Sequence, residues 1–456
     1  MVQVESFPGS CRFCPDLRKG KLGIPCPMSN DELCAPCTKL KKLEAKILKA
    51  KKTLDDLLEQ HRETRSQANS AHDFTIHRAP IEIVSMIFQL SLPIIPPGGI
   101  LSVKEYERAS PLVLGAVCRY WRKVAWSTPQ LWSLIAIRTG HGSNMGVLVK
   151  VAREWLDRSG TLPVSIGLHI SRRPEEYPEW SDSYYALCEL VNEHSNRWQM
   201  LDIRVPGSLF PRFHGHWENP PLQSLRLYDL YRGAKLKFDV NNLKPSPKEL
   251  VLDHVLPKSV EIEWNRLTRV TVVAVDLADC IWILRHTPHL RYYEIKDILQ
   301  RSAPNGDSIV HDRLQQLVLE CEHSISGIFL RSVAFPALES FHSIGQRQLP
   351  SDYISSMLIR SSSPSLKEIV IDSANVDHDN IVSIVRTVPT LQRLEIRAMR
   401  DKAPSPDALL RLLASTSITN PQDQEFLPAL RFPTSITQAD DLSKRLCCLL
   451  VSCVLD

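Results

Sequence analysis

The sequence lacks the features that would place the protein outside the cell or in a membrane. No basic leader followed by an apolar run occurs at the N-terminus, so we expect no secretory signal and a protein of the cytoplasm, the nucleus or both. An uncharged stretch at 83–103 includes Pro93, Pro96 and Pro97, which argue against a membrane-spanning helix. The 55 basic residues barely outnumber the 51 acidic ones, so composition predicts no polyanionic partner for the whole molecule.

Signatures of common enzyme classes are missing as well. The sequence contains no GxxxxGK phosphate loop, no His-Glu-x-x-His helix and no Gly-x-Ser-x-Gly nucleophile elbow. His214 and His216 form a close pair, but no carboxylate stands at ligand spacing before Glu218, so a loop without metal is the better interpretation. We therefore predict that the protein is not an enzyme and that it needs no cofactor, except for a structural zinc ion at its N-terminus.

The zinc hypothesis rests on cysteines in residues 1–38. Cys11-x-x-Cys14 is separated by nineteen residues from Cys34-x-x-Cys37, a spacing typical of zinc sites. Two thiolate pairs can complete a tetrahedron around Zn²⁺, and a segment too small for its own core would take its folding energy from the metal. A tail of reduced cysteines explains the same residues equally well.

Residues 39–72 carry apolar positions at alternating steps of three and four, a heptad seam that predicts an amphipathic or coiled-coil helix. The seam comprises Leu40, Leu43, Ile47, Ala50, Leu54 and Leu57, followed by His61. We favour packing of this seam within the chain, against the helices that follow, and keep a coiled coil as the alternative. Seven lysines against one glutamate at 39–52 predict a solvated basic face more readily than a phosphate-binding one.

Two short stretches of residues 73–135 have apolar residues at helical spacing. The first contains Ile83, Val84, Ile87, Phe88 and Leu90, and the second contains Val113, Leu114, Val117, Trp121 and Val124. Pro80 and Glu82 suit the first turn of a helix, and Pro129 breaks the chain after the second stretch. Such helices carry more apolar surface than about 55 residues can bury alone, which predicts a partner or a supporting domain.

The same stretch resembles the F-box-like domain abundant in mushroom-forming fungi, whose signature is a Leu-Pro-x-Glu-Ile helix, a Val-Cys-Arg-x-Trp-Arg helix and a Leu-Trp pair. The matching residues are Pro80, Glu82, Ile83, Ile87, Phe88, Leu114, Val117, Cys118, Arg119, Trp121, Arg122, Val124, Ala125, Pro129, Leu131 and Trp132, with Ala79 where the family has leucine. The resemblance implies docking onto the Skp adaptor of a cullin-based ubiquitin ligase. The predicted adaptor-binding residues are Pro80, Ile83, Ile87, Leu114, Val117, Trp121, Leu131 and Trp132.

A repeat occupies most of the remaining sequence. A short leucine-rich pattern recurs at steps of 20 to 28 residues, and its aligned apolar positions are Leu201, Leu225, Leu250, Val270, Tyr293, Leu317, Phe341, Ile369 and Leu394. Helical segments at 276–286, 351–360 and 379–388 separate several copies. A strand at 134–138, a helix at 145–156 and a strand at 164–170 come before them. Each copy needs neighbours to bury its apolar face, which predicts a curved solenoid.

From 198 to about 400 the pattern resembles the irregular leucine-rich-repeat region that accompanies the F-box in one large class of F-box proteins. The predicted fold is therefore α/β, with a leucine-rich-repeat-like solenoid at 136–400 after the small all-helical domain and the N-terminal helical segment. Residues 401–456 would form a C-terminal cap. Strand alternation directs one residue of each copy outward, and among these we predict target contacts by Asp202, Arg226, Thr271, Glu294, His342 and Glu395.

Two hypotheses about function follow. In the first, the chain is a substrate receptor that docks the Skp adaptor, and through it a cullin, and holds a protein target on its repeat surface. In the second, it is a non-ligase binding protein whose N-terminal zinc site and basic helix engage nucleic acid or a partner coiled coil. The outward positions mix acidic, basic and apolar residues, which suits a protein target better than a polyanion, so we favour the first hypothesis.

Overall fold

The computed structural model describes residues 35–72, 79–92, 110–139, 144–214, 222–230, 244–299, 308–346, 348–362, 365–373 and 378–398. The chain divides into two units, one made of Met1–Ile94 with Ser102–Leu131 and the other of Ile95–Leu101 with Trp132–Asp456. The described part belongs to the α/β class, with helices and one large parallel sheet. Within these ranges, no helix combines the length and the apolar character needed to cross a bilayer.

The first unit is helical. Its described helices are α1 (Ala35–His72), α2 (Ile81–Leu90), α3 (Pro111–Val117) and α4 (Arg119–Trp126). Ser110 caps α3, since its hydroxyl accepts a hydrogen bond from the amide of Leu112, and Pro111 occupies the first turn. Cys118 is extended and separates α3 from α4, and its sulfur accepts a hydrogen bond from the amide of Trp121 at 3.4 Å. One extended residue therefore turns a single apolar stretch into two helices.

The core of this unit joins α2 to α4 and α3 to α4. Phe88 is buried, and its ring lies 4.9 Å from the ring of Trp121 between centroids. The hydroxyl groups of Ser85 and Thr128 are 2.9 Å apart, which ties α2 to the end of α4. Arg122 donates a hydrogen bond from Nε to the carbonyl oxygen of Gly115 at 2.8 Å. These contacts fix the three short helices of the unit as one small core.

The second unit is built on a parallel sheet of eleven strands whose order follows the chain. Its strands are β1 (Leu134–Arg138), β2 (Val164–His169), β3 (Trp198–Val205), β4 (Ser224–Asp229), β5 (Glu249–Asp253), β6 (Arg269–Val273), β7 (Tyr292–Lys296), β9 (Gln316–Glu320), β11 (Ser340–Gln346), β12 (Glu368–Ser373) and β13 (Arg393–Ala398). Two further short strands, β8 (Ile309–Val310) and β10 (Val333–Ala334), pair in parallel with each other. Each strand of the large sheet therefore pairs with its sequence neighbours in that sheet.

The helices of the second unit connect these strands. They are α5 (Met145–Arg158), α6 (Pro178–Glu193), α7 (Leu277–His286), α8 (His323–Arg331), α9 (Ser351–Arg360) and α10 (His378–Arg386). α5 contacts α6, and α7 to α10 contact one another in series. The hydroxyl of Tyr293 on β7 donates to the carbonyl of Cys280 on α7 at 3.1 Å. This bond shows which side of the strand faces the helix.

The predicted apolar positions of the repeat form one buried row across the sheet. The strand register places Leu201, Leu225, Leu250, Val270, Tyr293, Leu317, Phe341, Ile369 and Leu394 opposite one another in succession. All nine are buried. Burial of this row, together with the helix faces packed on it, supplies the apolar driving force for the fold.

A recurring corner follows three successive strands. His254, Ala274 and Asp297 come directly after β5, β6 and β7, and their φ angles are 56°, 55° and 50°. The backbone amide of each donates a hydrogen bond to a backbone carbonyl oxygen of the next strand in the sheet, as in the 2.9 Å hydrogen bond from Ala274 to Lys296. Residues other than glycine rarely adopt this left-handed conformation, so its recurrence shows that consecutive copies share one turn geometry.

Most predicted elements occur near their predicted bounds, with some differences. β1 and β2 belong to the same sheet as the repeat, so the sheet begins at Leu134, inside the range 73–135 that we assigned to the helical domain. α6 and α8 were not predicted. The predicted cap at 401–456 lies outside the described residues.

Candidate docking surfaces

α2 and α3 expose an unusual number of large apolar side chains. The residues are Ile81, Ile83, Met86, Ile87, Leu90, Leu112, Val113 and Val117, which are 39–82% exposed and are called the exposed apolar set below. The same helices bury Val84, Phe88 and Pro111, so each helix has one face in the core and another apolar face in solvent. Clusters of this kind mark sites of protein interaction.

The predicted adaptor-binding residues divide into three groups. Pro80, Ile83, Ile87 and Val117 are exposed, and Leu114 and Trp121 are half-buried. Leu131 and Trp132 are buried, which corrects their assignment to an accessible surface.

Trp132 has a structural role instead. Its ring packs edge to face on Trp155 with centroids 4.8 Å apart, and the Arg158 guanidinium lies 5.1 Å from it. Sequence reasoning did not assign Met86, Leu90, Leu112 or Val113 to the adaptor surface, although Leu90 lies two turns from Ile83 on the same stripe of α2.

The predicted target-binding residues lie in one row on the face of the sheet opposite the buried row. The register aligns Asp202, Arg226, Val251, Thr271, Glu294, Val318, His342, Val370 and Glu395, called the central row below. Asp202, Glu294 and His342 are half-buried, whereas Arg226, Thr271 and Glu395 are buried. Of the six residues predicted to bind the target, the three half-buried ones are therefore the more accessible to a partner.

Asp202 of the central row forms a charged pair with Arg204, which packs on an aromatic ring. Arg204 donates from Nε to a carboxylate oxygen of Asp202 at 3.0 Å. Its guanidinium carbon lies 4.1 Å from the centroid of the Tyr228 ring. Burial and the nearby charge of Asp202 raise the pKa of Tyr228 to about 12, so the phenol stays protonated. This cluster presents fixed polar groups rather than a reactive one.

A second cluster surrounds Glu294. Its carboxylate accepts a hydrogen bond from the hydroxyl of Thr271 at 3.0 Å and pairs with the ammonium group of Lys296 at 3.0 Å. Lys296 also lies 3.4 Å from Glu320. Burial acts to lower the pKa of Lys296, but the two carboxylates raise it overall, so the ammonium remains charged.

A third cluster joins β11, β12 and β13. The Ser340 hydroxyl donates to Glu368 at 2.9 Å, His342 Nε2 lies 3.4 Å from the same carboxylate, and Arg393 donates to it at 2.8 Å. Arg393 also donates to Glu395 at 2.8 Å. Burial acts to raise the pKa of Glu368, but these hydrogen bonds and charges together lower it. The Ser340 hydroxyl also lies 3.0 Å from His342 Nε2, so the cluster links the three strands by hydrogen bonds.

A cationic pocket of about 510 Å³ lies at the starts of β4, β5, β6, β7 and β9. It is lined by Leu222, Gln223, Ser246, Lys248, Arg266, Thr268, His289, Arg291 and Arg313. Arg313 and His289 are joined by a hydrogen bond of 2.6 Å, and Arg266 lies 3.6 Å from Glu263. The excess of positive charge suits an anionic group of a ligand, such as a carboxylate or a phosphate.

The predicted zinc ligands stay a prediction. Cys11, Cys14 and Cys34 lie outside the described residues, as does the side chain of Cys37 at the start of α1. Three other thiols are buried, and burial raises the pKa of Cys188 to about 12 and that of Cys321 to about 11. Burial raises the pKa of Cys280 as well. These thiols remain protonated at neutral pH and act as small apolar groups of the core.

No protein-family model matches the chain, and no curated protein matches it.

Proposed function

We propose that the chain is an F-box-type substrate receptor that docks a Skp-type adaptor of a cullin-based ubiquitin ligase and holds a protein target on a leucine-rich-repeat-like solenoid. The observation that carries the proposal is the exposed apolar set on α2 and α3. Side chains such as Ile83 and Val117 stand in solvent beside a well-packed core of Phe88 and Trp121. A soluble partner that covers them would gain hydrophobic stabilisation without any rearrangement of that core.

The exposure of residues at F-box-like signature positions supports the docking role. Ile83, Ile87 and Val117 match apolar positions of the F-box-like signature, and all three are exposed. Positions of the same signature that are buried, such as Leu131, serve the interior instead. Two different sets of residues therefore satisfy two different requirements, one for packing and one for an accessible surface.

The parallel sheet and its series of helices support the solenoid that the receptor role requires. Eleven parallel strands in sequence order, series contacts between helices and the repeated left-handed corner are the features of a chain that stacks one unit on the next. The clusters around Asp202, Glu294 and Glu368 supply ordered charges of both signs on half-buried side chains. Such a surface selects a partner by electrostatic complementarity, and ubiquitin transfer to it would need only proximity.

Co-expression with a Skp-type adaptor tests the docking step. We expect the adaptor to co-purify with the chain and a cullin to be captured through the adaptor. Ile83→Asp should remove the adaptor, because a carboxylate would be buried at the interface. Val147→Asp is the matched control, since Val147 is also an exposed apolar residue of a helix, α5. Loss of the adaptor with both variants, or with neither, would reject α2 as the docking surface.

A second function rests on the basic face of α1. All seven lysines at 39–52 are exposed, an arrangement that could contact phosphates of a nucleic acid. Binding of this kind must weaken steeply as salt rises, by about 0.9 logarithmic units per logarithmic unit of salt for each contacted phosphate. A duplex-binding titration at several salt concentrations decides this, and salt-independent or absent binding rejects the second function.

A further inference from the structure

Helix α1 exposes its entire heptad seam. Leu40, Leu43, Ile47, Leu54 and Leu57 are 38–67% exposed, so the packing of this seam against the chain's own helices that we favoured from the sequence is not observed. The helix is 38 residues long, and its apolar stripe repeats at the spacing of a coiled coil. A stripe of this kind is stable in water only when another surface covers it.

We propose that α1 pairs with α1 of a second copy in an antiparallel two-stranded coiled coil. The spacing of the seam is the same in both directions along the helix. Its six positions are symmetric about the midpoint between residues 48 and 49, namely Leu40, Leu43, Ile47, Ala50, Leu54 and Leu57. Antiparallel alignment about this point places Leu40 opposite Leu57 and Leu43 opposite Leu54. All six positions then lie in apolar layers, and His61 lies outside these layers, opposite residue 36 at the start of α1.

Side-chain volume favours the antiparallel arrangement. Ile47 then faces Ala50 of the second copy in two adjacent central layers, so a large residue meets a small one each time. A parallel dimer in register would instead stack Ile47 on Ile47 and Ala50 on Ala50. The alanine layer would leave a gap, and empty volume in an apolar interface is destabilising.

Charge favours the same arrangement and a second copy as the partner. Residues 39–52 contain seven lysines and one glutamate, whereas residues 53–65 contain four acidic residues and two arginines. Antiparallel pairing about the midpoint between residues 48 and 49 sets residues 39–44, which include three lysines, against residues 53–58, which include Asp55 and Asp56, whereas parallel pairing sets all seven lysines beside those of the second copy. At the flanking positions, Glu44 would face Lys51 of the second copy in the antiparallel dimer, but Lys46 would face Lys51 in the parallel one. The two ends of the seam are thus more complementary in charge in the antiparallel dimer than in the parallel one.

This dimer does not depend on the proposed adaptor docking, and the mass of the full chain in solution tests it. Analytical ultracentrifugation at micromolar concentration should give a dimer. Ile47→Lys places a charge in both central layers and should weaken dimerisation about 100-fold or more. Leu48→Lys is the matched control, because Leu48 is 70% exposed but lies off the seam. A monomeric wild-type chain, or a dimer that Ile47→Lys leaves intact, would overturn the proposal.

The direction of the helices has its own test. Lys51→Glu would set two glutamates against each other in the antiparallel dimer and should weaken it about tenfold, since two such pairs occur per dimer. Combined exchange, Glu44→Lys with Lys51→Glu, should restore the affinity. In a parallel dimer Lys51→Glu would relieve the repulsion from Lys46 and strengthen association. Stronger association of the Lys51→Glu variant would therefore overturn the antiparallel arrangement.

Discussion

Replacing Ile83 and Ile87 together by alanine should weaken adaptor binding while leaving the chain folded. The two side chains lie one turn apart on α2 and are 46% and 45% exposed. Full burial of such a side chain contributes about 1.5–3 kcal/mol, and slightly less than half of each remains to be buried on docking, or about 0.7–1.4 kcal/mol per residue. Together they supply about 1.4–2.8 kcal/mol, which corresponds to an increase of about 10- to 100-fold in the adaptor Kd.

The assay is calorimetric or interferometric titration of the purified adaptor into the purified chain. The matched control is Val147→Ala with Val151→Ala, which removes an apolar pair that is also one turn apart and is 53% and 43% exposed on α5. The control should leave the Kd within about twofold of the wild type, because that helix has no assigned role in docking. Circular dichroism checks that both double variants keep the wild-type melting temperature. Equal Kd values for the two double variants would refute the assignment of α2.

Three further predictions concern the cores and the charged clusters. Gly115→Ala should destabilise the helical unit by about 1–3 kcal/mol in urea unfolding, since an added Cβ would lie too close to the Trp126 ring. Tyr293→Phe should lower the unfolding free energy of the sheet unit by about 1–2 kcal/mol, because the buried carbonyl of Cys280 loses its hydrogen bond. Glu368→Gln should lower the unfolding free energy of the sheet unit by about 1 kcal/mol at pH 7. The pKa of Glu368 in the folded protein lies below its ordinary value of 4.5. The difference in stability between wild type and variant should therefore persist above pH 4.5 and disappear as the pH falls through the folded pKa. A difference that grows on acidification would contradict the proposed role of these hydrogen bonds.

The strands of the sheet could be predicted from the sequence because their side chains alternate between a buried row and an outward row. Leu201, Tyr293 and Leu394 fall in the buried row that the repeat spacing indicated. The helix at 351–360 also occurs at its predicted bounds. At these places the sequence pattern is enough for the prediction, because the spacing of the apolar residues matches the side of the strand or helix that is buried.

Other features depend on contacts that no local pattern contains. α6 begins at Pro178, where we predicted no helix, although proline is compatible with the first turn of a helix. α8 contains Gly327, which lowers helix propensity but allows the ring of Tyr353 on α9 to approach closely.

The burial of some residues in the candidate surfaces could not be predicted from the sequence either. Arg226 has an outward position in the strand alternation, yet it is buried. Trp132 matches a signature position, yet it packs on Trp155. Trp155 is brought against Trp132 by the fold, and strand or helix periodicity carries no information about such a contact.

Hydrogen–deuterium exchange of the full chain with and without a purified Skp-type adaptor would locate the proposed docking surface. We expect the adaptor to slow exchange of backbone amides in Ile81–Leu90 and Pro111–Val117, the helices that carry the exposed apolar set. Exchange in the strands β3 to β13 should be unchanged. Protection confined to the sheet unit, or no protection at all at an adaptor concentration well above the chain, would contradict the account.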